Sequence, residues 1–258
     1  MRLMKRILSA AAVLALSASL LVGCSSGTAS SVPVSASSAA ESTVSSVEET
    51  ASSAVDENEA AAAQLLNDLT GSYQELWPVI LADEYKQTWL DDCTALVGED
   101  NAEAAFEKLS SMVTSDVYGE DAVKAYANGG GAYFCGFTNS LATLTFDGET
   151  STISGTDKDG NVLFSHTYHY IGMEPVHGLY EFESDDADSG EFTYFFLAPD
   201  TSAETYHIEF RYGSDAEALS QYDTGEYAYW LASGISTDCD QTMIDNCIEL
   251  FCTENLAG

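Results

Sequence analysis

Residues 141–172 read LATLTFDGETSTISGTDKDGNVLFSHTYHYIG, and their rhythm decides the fold class. Short aromatic and β-branched runs alternate with turn signals, Asp147-Gly148 and Asp159-Gly160 here and Ser189-Gly190 further on. Such runs suit a pleated, half-buried backbone, and Asp-Gly supplies the positive φ of a tight hairpin. Extended from Ala132 to Tyr212, the pattern predicts strands over Leu141–Phe146, Val162–Tyr170, Leu179–Phe182, Phe192–Leu197 and Tyr206–Tyr212. A meander of this kind closes into an antiparallel barrel or packs as a sandwich, since either leaves few open edges. The flanks are helix-like. Ala60 to Leu69 is rich in Ala and Leu, and Ala105, Phe106, Leu109 and Met112 recur at helical spacing. A last helix is expected from about Cys239 to Glu254, with Met243, Ile244, Cys247, Ile248 and Phe251 on one face. The expected domain is mainly β over residues 60–258, helical in 60–128, barrel-forming in 132–212 and helical again at the C-terminus. Gly129-Gly130-Gly131 joins the first two parts and lacks the Lys-Ser/Thr continuation of a phosphate loop.

The N-terminus has another character. Arg2, Lys5 and Arg6 precede an apolar stretch from Ile7 to Val22, the order of parts in a secretory signal. The stretch ends at Leu21-Val22-Gly23-Cys24, which resembles a bacterial lipobox. That resemblance implies a signal peptide over residues 1–23 and lipidation of Cys24, whose acyl chains would anchor the protein to a membrane at about 0.8 kcal/mol per buried CH₂. The alternatives are an uncleaved anchor or an ordinary signal with a chance cysteine. Residues 24–59 are dominated by Ser, Ala, Val, Thr and Glu without aromatics, Lys or Arg, and read as a disordered stalk.

Charge narrows the partners. The chain carries 8 basic and 42 acidic residues, a formal −34, and loss of Arg2, Lys5 and Arg6 with the signal would leave −37. Nucleic acid is excluded, because phosphate binding requires clustered Lys and Arg. Anionic head groups would repel such a surface, so the membrane is contacted through Cys24 and not through a basic face. Excess carboxylate favours cationic partners, metal ions included.

Motifs for catalysis are missing: there is no Gly-x-Ser-x-Gly elbow and no His-Glu-x-x-His, so a binding protein is expected and not an enzyme. Cys93, Cys135, Cys239, Cys247 and Cys252 lack Cys-x-x-Cys spacing, which argues against a structural zinc site, and their disulfide pairing is open. Asp157-Lys158-Asp159-Gly160-Asn161 echoes a calcium loop, but Leu163-Phe164 follow as strand and a hairpin turn is the better reading. Asp185-Asp186-Ala187-Asp188 reads as a solvated acidic loop. Four histidines stand out in so acidic a chain. His166 and His169 are three apart in a strand and point to opposite faces, so they should not share a metal. His207 and Glu209 are two apart and share a face. A borderline ion such as zinc could sit between them if a third ligand came from a neighbouring strand; a surface His beside a solvated Glu is the plainer alternative.

A family resemblance shifts that balance. Leu66-Asn67-Asp68-Leu69-Thr70-Gly71-Ser72-Tyr73-Gln74-Glu75-Leu76-Trp77-Pro78-Val79-Ile80 looks like the opening of the ZinT family. The likeness continues in order through Leu144-Thr145-Phe146, Tyr168-His169-Tyr170-Ile171-Gly172, Leu197-Ala198-Pro199, His207-Ile208-Glu209-Phe210, Gly213-Ser214-Asp215 and the aromatic cluster Tyr227–Trp230, about residues 64–250. It implies a calycin, lipocalin-like β-barrel with added helices, exported, binding zinc or cadmium at the barrel mouth, and in some members handing zinc to an ABC importer. Of the family's three metal-binding histidines, the first falls on Phe195, the second on His207 and the third on Glu209. Phe195 cannot ligate a metal, so the implied site is His207 and Glu209 with a third ligand to be found, His177 or a nearby Asp or Glu being the candidates. The alternatives are a calycin-type module for a small apolar ligand that has lost the metal site, and an adhesion or interaction lipoprotein.

Overall fold

The computed structural model describes residues 57–198 and 207–257. The signal-like segment, Cys24 and the stalk up to residue 56 lie outside the described residues. Eight antiparallel strands form one closed barrel in sequence order: β1 (Gly71–Glu75), β2 (Thr143–Asp147), β3 (Thr152–Thr156), β4 (Val162–Met173), β5 (Tyr180–Ser184), β6 (Tyr194–Leu197), β7 (His207–Gly213) and β8 (Ala232–Ser236). Closure is made by β1 on β8, with Tyr73 opposite Ser236 and Glu75 opposite Gly234. The fold is thus a mainly β, calycin-like barrel with helices, and of the two packings left open by the meander the barrel is the one adopted.

Local chemistry sets the turns. The Asp157 carboxylate accepts the backbone N–H groups of Asp159 and Asn161, both at 2.9 Å, and closes the β3–β4 hairpin. Its oxygens are engaged by its own turn, which is why the calcium-like string is a hairpin. Along β4 the pairing register with β5 shifts between Tyr170 and Gly172, a bulge of the kind that bends a strand around a barrel.

Alternation fills the interior. Leu144, Phe146, Phe164, Tyr168, Phe182, Phe195, Phe210 and Tyr212 belong to one buried cluster. Phe164 stacks on Phe192 at 4.0 Å, and Phe195 meets Tyr168 at 5.4 Å and Tyr212 at 5.3 Å between ring centroids. The barrel is therefore a packed aromatic core, each ring pair adding about 0.5–1.5 kcal/mol beyond area burial.

The barrel takes more of the chain than residues 132–212. β1 precedes most of the helices and β8 follows residue 212, because a sheet closes only when its first and last strands find each other. The expected strands shift by a few residues at their ends; residues 190–192, expected as strand in part, form a 3₁₀ turn before β6.

A helix over residues 57–68, α1, begins inside the expected stalk and sets Ala62, Leu65 and Leu66, with Leu69 after it, into the barrel's own core. It lies so close to the β2–β3 turn that a Cβ on Gly148 would stand 2.4 Å from Asn67 Cα. Gly148→Ala is accordingly expected to cost about 1–3 kcal/mol by pushing backbone from backbone, read as a lowered urea midpoint at unchanged slope. A substitution without effect would mean that α1 does not seat there.

The remaining helices are α2 (Leu76–Ile80), α3 (Lys86–Val97), α4 (Glu99–Ser111), α5 (Glu120–Ala127), α6 (Ala216–Leu219) and α7 (Gln241–Leu256). A second core lies outside the barrel wall, where Trp77 and Ile80 of α2, Trp89 and Cys93 of α3, Leu109 of α4, and Ile248 and Phe251 of α7 meet Ile235 of β8. Asp240 caps α7 by accepting the Met243 N–H at 3.0 Å. Among the described residues no helix is long and apolar enough to cross a membrane.

Candidate functional site

β7 is covered on both faces, and this decides where its polar residues go. Ile208, Phe210 and Tyr212 enter the barrel core, so His207, Glu209 and Arg211 point outward by the two-residue period of a strand. Opposite them on β8 stand Ile235 for His207 and Ser233 for Glu209. α2 and α7 lie over this stretch, leaving a cavity of about 30 Å³ lined by Trp77, His207, Glu209, Cys247, Phe251 and Glu254 among others. That is room for about one water or one ion.

Electrostatics distinguish the donors. Burial and then the charge of Glu209 push the Cys247 thiol up to about 12, and the same two causes raise Cys135. A thiol held protonated is a poor metal ligand until an ion displaces its proton. The other donor-type side chains that line the cavity are the imidazole of His207 and the carboxylates of Glu209 and Glu254. Their present arrangement is not a coordination shell: among the described residues no three His, Cys, Asp or Glu side chains converge closely enough to hold an ion.

The site residues named by the sequence do not all meet. Phe195 lies opposite Tyr212 and is fully buried inside the barrel, on the other side of the wall from His207 and Glu209. The three positions implied by the family resemblance are thus split by the sheet, and the pair sits on the barrel's flank where its mouth was expected. His177 is also elsewhere. It packs edge-on against Tyr222 at 3.9 Å, and its backbone N–H donates to Glu174 Oε2 at 2.5 Å. Burial lowers its pKa, the charge of Glu174 opposes that, and Arg211 adds to it. Arg211 itself is fully buried, donates to the carbonyls of Leu219, Gln221 and Tyr227, and lies over the Tyr222 ring at 4.2 Å. It is four residues along β7 from His207, roughly 13 Å of strand, and His177 does not line the cavity.

The other two histidines have partners that the sequence did not reveal. His166 Nδ1 is 2.8 Å from the Asp186 carboxylate and His169 Nδ1 is 2.7 Å from that of Asp185, so the acidic run of residues 185–188 is partly a histidine-binding loop. Glu254 was likewise missed. The available signal was its spacing: it is seven residues beyond Cys247, two turns along the same helical face.

No protein-family model matches the chain, and no curated protein matches it in sequence. Solved structures similar to it include the Zn(II)-bound ZinT-like domain of AdcA from Streptococcus pneumoniae, 16% identical with a TM-score of 0.45, covering 71% of this chain and 89% of that one. Zn(II)-bound AdcA from the same organism is 14% identical with a TM-score of 0.42, covering 72% of this chain and 35% of that one. Likeness at this level fixes neither a ligand nor a site in this chain. What the chain is similar to is a ZinT-like domain, of the family whose motifs its sequence resembles.

Proposed function

We propose that this protein is held outside the cytoplasm by a lipidated Cys24 and captures a divalent metal ion, zinc foremost, in the cavity between β7 and α7. The observation that carries this reading is that His207, Glu209 and Glu254, one imidazole and two carboxylates, line one ion-sized cavity. Nitrogen and carboxylate oxygen are the donors a borderline ion accepts. Glu254 takes the role of third ligand for which His177 or a nearby Asp or Glu was expected, and binding requires the three side chains to turn toward a common point. The formal charge of −34 raises the local concentration of cations at such a surface. The apolar-ligand alternative is disfavoured by the ring-filled barrel interior. In this reading the anchor keeps a capture protein at the membrane, where a zinc ABC importer is the partner that would receive the ion.

Zinc titration by calorimetry tests the reading. The unaltered protein is expected to bind with a Kd below about 10 μM, and His207→Ala and Glu254→Gln each to weaken it at least about tenfold. Affinity weaker than about 1 mM, or affinity in the two variants unchanged from that of the unaltered protein, would remove the proposal.

A further inference from the structure

Five cysteines lie in the described part of the chain, and two of them face each other. Cys93 on α3 and Cys252 on α7 are both fully buried, with their Sγ atoms 3.9 Å apart. They sit in the outer core beside Trp89 and Phe251, whose rings meet edge-to-face at 5.7 Å. The partner choice is made by the fold. Cys247, on the same helix, lines the His207 cavity instead, and Cys239 precedes the helix and is half-buried.

We propose that Cys93 and Cys252 form a disulfide that staples the C-terminal helix to α3. A disulfide needs about 2.05 Å between sulfurs, so the thiols must approach by less than the width of an atom, which side-chain rotation with a slight shift of α7 supplies. The chemistry is thiol–disulfide exchange with a disulfide-class oxidant. The thiolate of one cysteine attacks a sulfur of the oxidant, forming a mixed disulfide and expelling one thiolate. The second cysteine's thiolate then displaces the other half, so that two protein thiols lose two hydrogens and the oxidant becomes two thiols.

Timing follows from burial. Both thiols are fully buried, and neither is exposed to an attacking oxidant in the folded protein. Closure therefore belongs to folding, before α7 docks, and the finished bond is a permanent staple rather than a switch. It closes a span of 159 residues, the regime in which a cross-link restricts the unfolded chain most. Export, which the signal-like segment implies, would place the chain where disulfide oxidants act. The proposal stands independently of metal binding.

The test uses the chain with Cys24→Ser, so that only the five domain cysteines react, refolded from urea with oxidised glutathione or with dithiothreitol. Peptide mapping without reduction is expected to find one linked pair, Cys93 with Cys252. The oxidised form should melt about 5–10 °C above the reduced form. Cys93→Ser or Cys252→Ser should abolish both the link and the shift, while Cys239→Ser keeps them. The oxidised–reduced comparison on the otherwise unaltered chain needs no core variant to fold. Recovery of both thiols in alkylatable form after oxidising refolding, or a link from either to another cysteine, would overturn the proposal.

Discussion

Replacing Arg211 with methionine is expected to cost about 3–5 kcal/mol. Its guanidinium donates to the carbonyls of Leu219, Gln221 and Tyr227, spanning the segment that leads from β7 round to β8. Methionine matches much of the stem's volume, so the loss is that of the hydrogen bonds and not of packing. Orphaned buried carbonyls cost about 1–3 kcal/mol each. The buried carboxylate of Glu174 also loses a cation whose charge it feels, which adds to the cost. Lysine should fare little better than methionine, because a single ammonium cannot reproduce a planar fork. Urea denaturation measures the effect, and a loss below about 1 kcal/mol would mean that Arg211 does not hold this segment.

The second large effect concerns the position at which the resemblance implies a metal-binding histidine. Phe195→His is expected to destabilise the protein by about 2–4 kcal/mol and to leave zinc affinity unchanged. Phe195 packs against Phe164, Tyr168, Phe210 and Tyr212 inside the barrel, and an imidazole there loses ring contacts and buries a polar nitrogen. It would face the interior, whereas His207 and Glu209 face outward, so it could not complete their site. A variant that binds zinc tenfold more tightly would show that the wall does not separate these positions.

The legible part of the fold is the part whose residues announce their neighbours. Strands β4 to β7 carry aromatic and β-branched runs, and their existence follows from sequence. β1, β3 and β8 read GSYQE, TISGT and ASGIS, short stretches interrupted by Gly and Ser, which weaken the local strand signal. They are strands because barrel partners demand it. Gly155 of β3 shows the constraint, since a Cβ there would lie 2.4 Å from Leu141 Cδ1 and 2.5 Å from Phe164 Cε1.

At the site, the shared face of His207 and Glu209 followed from strand periodicity. Which face was inward did not, because the outer side of β7 is also covered, by α2 and α7 beside His207 and Glu209 and by the segment leading to β8 over Arg211. A strand that is apolar at Ile208, Phe210 and Tyr212 yet lies in a wall covered on both sides gives its polar residues no obvious exit. Glu254 arrives from a helix some 45 residues further along the chain, a contact that only the tertiary fold creates. The separation of His166 from His169 was legible from their spacing, and the aspartates that hold each of them were not.

The central claim is a metal site made by β7 and α7 on the flank of the barrel. X-ray absorption at the zinc edge of the zinc-loaded protein tests it most directly. The predicted spectrum has one imidazole nitrogen and carboxylate oxygens at about 2.0–2.2 Å with no sulfur at about 2.3 Å, and its imidazole signature vanishes in His207→Ala. A sulfur-dominated shell, or an imidazole signature that survives His207→Ala, would contradict the site.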